Sequence, residues 1–306
     1  MDDFILGGSD SKLTEKFKRY MSECFHMKDL GPLKFFLGIE VSRGKQGIYI
    51  SQHKYTLDII SECGLIGAKP VDTPIEQNHT LAKEEGEFNP EPSKYRRLVG
   101  RLVYLAITRP DLCYAVHLLA QFLGQPRQCH WEAVVRLVRY LKGTSGQGLL
   151  LSNDSDLHLD AYCDSDYQTC SKTRRSLSGY VVLLGILDLG KSPICWKKKK
   201  QERVSLSSAE AEYRAMAYTY QELIWLKQLL LIFQIPHPDA ITLHCDNKSA
   251  LHIVANPVFH ERTKHIERDC HFVRDGIKDG IVSTRHVRTT EQVADFLTKA
   301  LGRKQF

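Results

Sequence analysis

The chain has 306 residues, 42% of them hydrophobic and 25% charged, with a formal charge of +6 at pH 7. That composition is of an ordinary globular protein of one to three domains, and the mild positive excess permits nucleic-acid binding without requiring it. No apolar run reaches the roughly 18 residues of a membrane span, the start lacks the layout of a secretory signal, and nine cysteines with no C-x-x-C pair argue for reduced thiols in an intracellular compartment.

Met1 to Leu6 opens abruptly, as a strand without a preceding partner. Lys12 to Met27 places Phe17, Met21, Cys24 and Phe25 at helical spacing, and Gly31-Pro32 then breaks the chain. Phe35 to Val41 and Gly47 to Ser51 read as a hairpin, and His53 to Cys63 as a helix. Pro70 to Pro92, with its prolines and acidic patch, reads as a loop. Tyr95 to Ile107 and Pro110 to Leu123 are two helices split at Arg109-Pro110, and Trp131 to Leu141 is a third. The Gly/Ser-rich stretch 143–148 marks a boundary, dividing the chain into residues 1–148 and 149–306.

The second part alternates regularly. Leu157 to Cys163 has apolar residues at odd positions and reads as a half-buried strand. Gly179 to Leu184 and Ile194 to Lys197 complete an antiparallel meander. A long helix covers Ser208 to Phe233 and stops at Pro236 and Pro238. Ile241 to Cys245 is a strand, Lys248 to Val254 and Arg262 to Lys278 are helices, Ile281 to Val287 is the fifth strand, and Glu291 to Leu301 is the closing helix. The order βββαβααβα predicts an α/β (α+β) unit with a mixed five-stranded sheet and flanking helices.

Carboxylates stand at the ends of these elements. Asp164 ends the first strand of the unit, with Asp166 just beyond, and Asp246 ends the fourth. Glu210 and Glu212 lie in the first turn of the long helix, and Asp295 in the first turn of the last. If the two strands run parallel as neighbours, these groups crowd one rim of the sheet, where they repel unless cations join them. Two Mg²⁺ ions roughly 3.5–4 Å apart relieve that repulsion and suit phosphodiester cleavage. First-turn acids also suit the helix dipole, so spacing alone does not single out the set.

The blocks YCDSDY (162–167), TRRSLSGYVVLLG (173–185), RVSLSSAEAEYRAMA (203–217), CDNKSA (245–250), ERTKHIERDCHFVRD (261–275) and HVRTTEQVADFLTK (286–299) together resemble the ribonuclease H domain of copia-type LTR retrotransposons. The resemblance implies a ribonuclease H-like fold that cuts the RNA strand of an RNA/DNA hybrid. It implies two divalent ions, Mg²⁺ or Mn²⁺, held by Asp164, Glu212, Asp246 and Asp295, with no other cofactor. Glu212 fits the family's pattern better than Glu210, since Ala215 follows at the expected spacing, and the two glutamates sit about 200° apart on a helix. Asp166 and Asp269 are the alternatives for the first and last carboxylates. The family's flexible His-bearing loop is missing, because 287–291 joins the last strand directly to the last helix and His286 comes too early.

MDDFILGGSD, MKDLGPLKFFLGIEV, YRRLVGRLVYLAITRPDLCYAV and HWEAVVRLVRYLKGT resemble the end of the reverse transcriptase of the same elements, its palm remnant, thumb and connection. Asp2 and Asp3 then stand for two polymerase carboxylates. With the third carboxylate and the fingers absent from the chain, no polymerase activity is expected. The implied partners are an RNA/DNA hybrid and other Pol products of the element, inside the cell and away from membranes. A non-catalytic hybrid-binding module or a decayed element is the competing reading. The basic run Lys197 to Lys200 with Arg203, and Arg174 and Arg175, either track phosphates or form solvated loops. His260, His265, Cys270 and His271 fit no paired zinc spacing. Trp196 and Trp225 are expected in the core.

Overall fold

The computed structural model describes residues 3–83, 86–170, 173–185, 191–256 and 267–306. The first part opens on α1 (Ser11–Cys24), capped by Asp10, whose carboxylate accepts the N–H groups of Lys12 and Leu13. None of the helix is buried. Residues 3–8 form no strand. Three strands, β1 (Phe35–Phe36), β2 (Ile39–Gly44) and β3 (Gly47–Ser51), run antiparallel. Only glycine fits at position 47, where φ is +139° and a Cβ would lie 2.0 Å from the Leu151 carbonyl oxygen.

Four helices follow: α2 (His53–Glu62), α3 (Pro92–Leu105), α4 (Cys113–Ala120) and α5 (Gln128–Gly143). They close on a core that includes Ile59, Tyr95, Leu102, Leu119, Leu137 and Leu141. The expected split at Arg109-Pro110 is a 3-10 turn, Pro110–Leu112. Arg109 is almost fully buried there because Asp111 pairs its guanidinium at 2.7 Å and Thr144 takes two further N–H groups. Strand β4 (Leu149–Ser152) then pairs with β3, so it completes the first, four-stranded sheet although it lies just past the division expected at 148/149.

The second part has the expected element order. Its sheet runs β7 (Ser192–Lys200), β6 (Leu177–Leu184), β5 (Leu159–Asp166), β8 (Ile241–Cys245), β9 (Val282–His286). The first three strands are antiparallel, and β8 lies parallel to both β5 and β9. Helices α6 (Ser208–Ile232), α7 (Lys248–Ala255) and α8 (Glu267–Lys278) pack with the apolar side chains of one sheet face. Residues 262–266 of the predicted helix lie outside the described residues.

Four expectations need correction. The strand predicted as half-buried is buried from Leu159 through Ser165. Its second face is not solvated, because Tyr162, Val181 and Leu183 pack there with Ala106 and Cys113 of the first part. The run Lys197 to Lys200 is not a loop but the end of β7, with Lys197 and Lys199 outward and Lys198 turned in. The closing helix shrinks to α9 (Asp295–Thr298), preceded by a 3-10 turn at Thr289–Glu291. There Gln292 donates its amide to the Cys163 carbonyl and accepts the Ala294 N–H, holding the connection against β5 instead of letting it wind. Trp225, expected in the core, is 53% exposed.

Candidate metal centre

The parallel pairing of β5 and β8 brings their C-terminal ends side by side. Asp164 stands near the end of β5 and is 1% exposed. Asp246 follows β8 directly and is half-buried, just before Asn247 caps α7 by accepting the Ala250 N–H. Thr289 donates its hydroxyl to Asp246 at 3.1 Å.

The helix carrying the glutamates is capped by Ser207, which accepts the Glu210 N–H, while Glu210 accepts the Leu206 N–H in return. Glu210 also pairs with Arg214 at 2.6 Å. Glu212 points the other way. One of its oxygens accepts the Ser165 N–H at 3.0 Å, and the Cys245 thiol lies 3.7 Å from the other. Gln201 reinforces this seat by donating to Ser165 and Ser178 hydroxyls and to the Ala211 carbonyl.

The fourth carboxylate reaches the site because β6 has a glycine at the right place. Gly179 is the register partner of Asp164, and a Cβ there would meet Leu297 and Thr298 at 2.9 Å. With no side chain in between, α9 lies close against the strand. Thr298 donates its hydroxyl to one oxygen of Asp164, and Lys299 donates to the other at 3.1 Å. Lys299 also pairs with Asp295 at 2.7 Å.

The electrostatics follow from this crowding. Burial first, then Asp164, Cys245 and Asp246, push the Glu212 carboxyl well above its ordinary value, against the opposing Ser165 N–H. Burial and Asp164 push Asp295 up to about 6. Burial also raises Asp166, with Asp164 adding to it. Burial alone would lower Lys299, but Asp164 and Asp295 outweigh it and raise the ammonium. Glu212 and Asp295 therefore each lie within the fields of Asp164 and Asp246.

Of the alternatives, Glu210 belongs to the helix cap and Asp269 lines a pocket with Lys199, Gln201, Arg214 and Tyr218. Asp166 remains beside Asp164 at the strand end. Asp2 lies outside the described residues and Asp3 is exposed, so the expectation about polymerase chemistry is neither met nor opposed by the geometry. His260 and His265 also lie outside the described residues. His286 ends β9 in an exposed position.

The donor set suits a hard divalent ion, since carboxylates from four segments stand at one rim of the sheet, with the Lys299 ammonium paired to two of them. Single ligand atoms of Glu212, Cys245 and Asp246 all lie within 4.8 Å of one another. Cys245 is an unpredicted member, as are Thr298, Lys299, Gly179 and Gln201. The parallel register could have pointed to Cys245, which precedes Asp246. No local pattern marks the others.

The strand order and the acidic rim define a ribonuclease H-like unit joined to a second α/β region. A family model for reverse transcriptase (RNA-dependent DNA polymerase) matches residues 1–77. The whole chain is 43% identical to the retrovirus-related Pol polyprotein from transposon RE2 of Arabidopsis thaliana, covering 21% of it. It is 41% identical to that from transposon RE1, covering 20%. A putative Ty5-1 transposon protein of Saccharomyces cerevisiae is 31% identical over 73% of this chain and 72% of its own length. The chain belongs to the copia-type retrotransposon Pol polyproteins and spans about a fifth of the length of the first two relatives. Among solved structures, RNase H1 from the halophilic archaeon Halobacterium salinarum NRC-1 aligns with a TM-score of 0.34 and 18% identity, over 46% of this chain and 93% of that one. A likeness at that level adds nothing to the fold described from its strand order. No helix among the described residues is long and apolar enough to cross a membrane.

Proposed function

We propose that the unit predicted at 149–306, less the β4 residues 149–152 that join the first sheet, forms a ribonuclease H that hydrolyses the RNA strand of an RNA/DNA hybrid, and that the part before it is the palm remnant, thumb and connection of the reverse transcriptase in the same polyprotein. What supports this reading is the placing of Glu212 beside Asp246, and of Asp164 and Asp295 on one lysine, at the same rim of the sheet. Clustered, partly buried carboxylates without matching positive charge are unfavourable by themselves, and they favour divalent cations.

Asp164, Glu212, Asp246 and Asp295 would hold two Mg²⁺ ions, with Mn²⁺ as a substitute. Such ions activate the attacking water and stabilise the leaving 3′ oxygen. The protein's own contribution is positioning. Glu212 is fixed by the Ser165 N–H, Asp246 by Thr289, and Asp164 by Thr298. The products would carry 5′-phosphate and 3′-hydroxyl ends. Outward Lys197 and Lys199 lie on the strand next to β6 and offer phosphate contacts to the hybrid.

The test is cleavage of a labelled RNA/DNA duplex by the full chain with and without Mg²⁺, beside Asp246→Asn. Cleavage that needs the metal and is lost in the variant, with hybrid binding retained, supports the reading. Hybrid binding with no metal-dependent cleavage by the wild-type chain would turn it into the non-catalytic alternative.

A further inference from the structure

The two sides of the carboxylate group are unlike. On one side, Glu212 and Asp246 meet the Cys245 sulfur and the Thr289 hydroxyl. On the other, Asp164 and Asp295 share a single ammonium group, Lys299 Nζ, at 3.1 and 2.7 Å. An ammonium group has three donors and a compact charge, so it can bridge two carboxylates much as a metal ion does. Lys299 is not a loosely placed surface side chain. Its backbone leaves α9 in an extended conformation, and the Gly179 gap sets the distance of that helix from Asp164.

We propose that Lys299 is a built-in cation that stands at the Asp164–Asp295 side of the site, so that a divalent ion enters there only by displacing it. This rests on the metal-dependent reading above and extends it to unequal loading of the two ions. The first ion binds toward Glu212 and Asp246, where no ammonium group among the described residues pairs with either carboxylate. The second must break two ion pairs made by a partly buried lysine, and its affinity is reduced accordingly. The freed ammonium then lies at the rim of the site, where a backbone phosphate of the hybrid can take it up. Substrate binding and loading of the second ion thereby favour each other, because each removes the competitor of the other.

The test is calorimetric titration of the full chain with Mn²⁺, without nucleic acid, for the wild type, Lys299→Met and Lys299→Arg. The expected wild-type isotherm has two steps, the second at least about tenfold weaker than the first. Lys299→Met should strengthen the second step about tenfold or more and leave the first within about threefold, while Lys299→Arg keeps the wild-type pattern. Superimposable second steps in wild type and Lys299→Met would overturn the proposal. The absence of Mn²⁺ binding in all three would instead overturn the metal-dependent reading on which it rests.

A second measurement does not depend on a variant folding. The rate at which an amine-directed acetylating reagent modifies Lys299 in the wild type, followed by mass spectrometry, should rise about fivefold or more as the second equivalent of Mn²⁺ binds. A rate that stays constant through the titration counts against displacement. A structural lysine with no role in loading would leave both the second step and this rate unmoved.

Discussion

Glu212 accepts the backbone N–H of Ser165 at 3.0 Å, so the contact that seats α6 on β5 also fixes the glutamate beside Asp164. The two functions can be separated chemically, because an amide oxygen accepts the same hydrogen bond without the charge. Glu212→Gln should fold, with an apo melting temperature equal to or above that of the wild type, since a like-charge interaction is relieved. Its Mg²⁺-dependent cleavage should fall about a hundredfold or more. Glu212→Ala leaves the Ser165 N–H buried without its acceptor and should lose about 1–3 kcal/mol in chemical denaturation. Equal stability losses in the two variants would mean that the charge itself supports the fold.

Gly179 controls how closely α9 approaches the strand. Gly179→Val forces Leu297 and Thr298 outward and draws Asp295 and Lys299 from Asp164. We expect about 1–3 kcal/mol of lost stability by urea unfolding, together with weaker Mn²⁺ binding by calorimetry. A variant that loses stability but binds Mn²⁺ as before would show that α9 is not what assembles this side of the site.

Lys198 points from β7 into the junction of the two parts, where its ammonium lies over the Tyr114 ring at 4.3 Å and makes no hydrogen bond. Burial lowers it from 10.5 to about 7. Between pH 7 and 10.5 the unfolded chain binds a proton that the native chain has released, so this group's contribution to stability rises with pH across that window. The destabilisation is full at and below pH 7 and gone above 10.5. Lys198→Met should therefore be more stable than wild type by about 1–2 kcal/mol at pH 7, with the difference shrinking toward pH 10. Urea denaturation at several pH values reads it directly. A difference that does not change with pH would assign the gain to packing.

Val181 tests whether the second face of the sheet is interior. It is 1% exposed, among Tyr162, Leu183 and Cys113. Val181→Asp should lose at least about 3 kcal/mol or fail to fold, as an uncompensated buried charge does. Tolerance of the aspartate, judged by the urea midpoint, would show that the first part does not cover this face in solution.

Much of the second part was legible in the residues. The period-two run ending at Cys163 and the long run from Ser208 to Phe233 specify local conformation through sterics and short-range hydrogen bonds. So do the prolines at 236 and 238. The 200° separation of Glu210 and Glu212 on one helix was legible for the same reason, and the structure duly turns one to the cap and the other to the strand. The half-buried reading of β5 failed because alternation reports the polarity of side chains, not what covers them. Asp160 looks like an outward, solvated residue. It is instead held by Lys191 and His244, which outweigh burial and keep its carboxyl low, at about 2.

The sequence by itself determined most of the strands and helices of the second part, their order, and which carboxylates stand at the ends of those elements. Residue spacing carries that information because it acts over one or two turns or one strand. Only the tertiary structure decided that Lys299 bridges Asp164 and Asp295, that Gly179 admits α9, and that helices of the first part cover the second face of the sheet. All but the Lys299–Asp295 pair join segments far apart in the chain, Lys299 and Asp164 by 135 positions. Their strength depends on close approach and exclusion of water, which the folded packing alone creates.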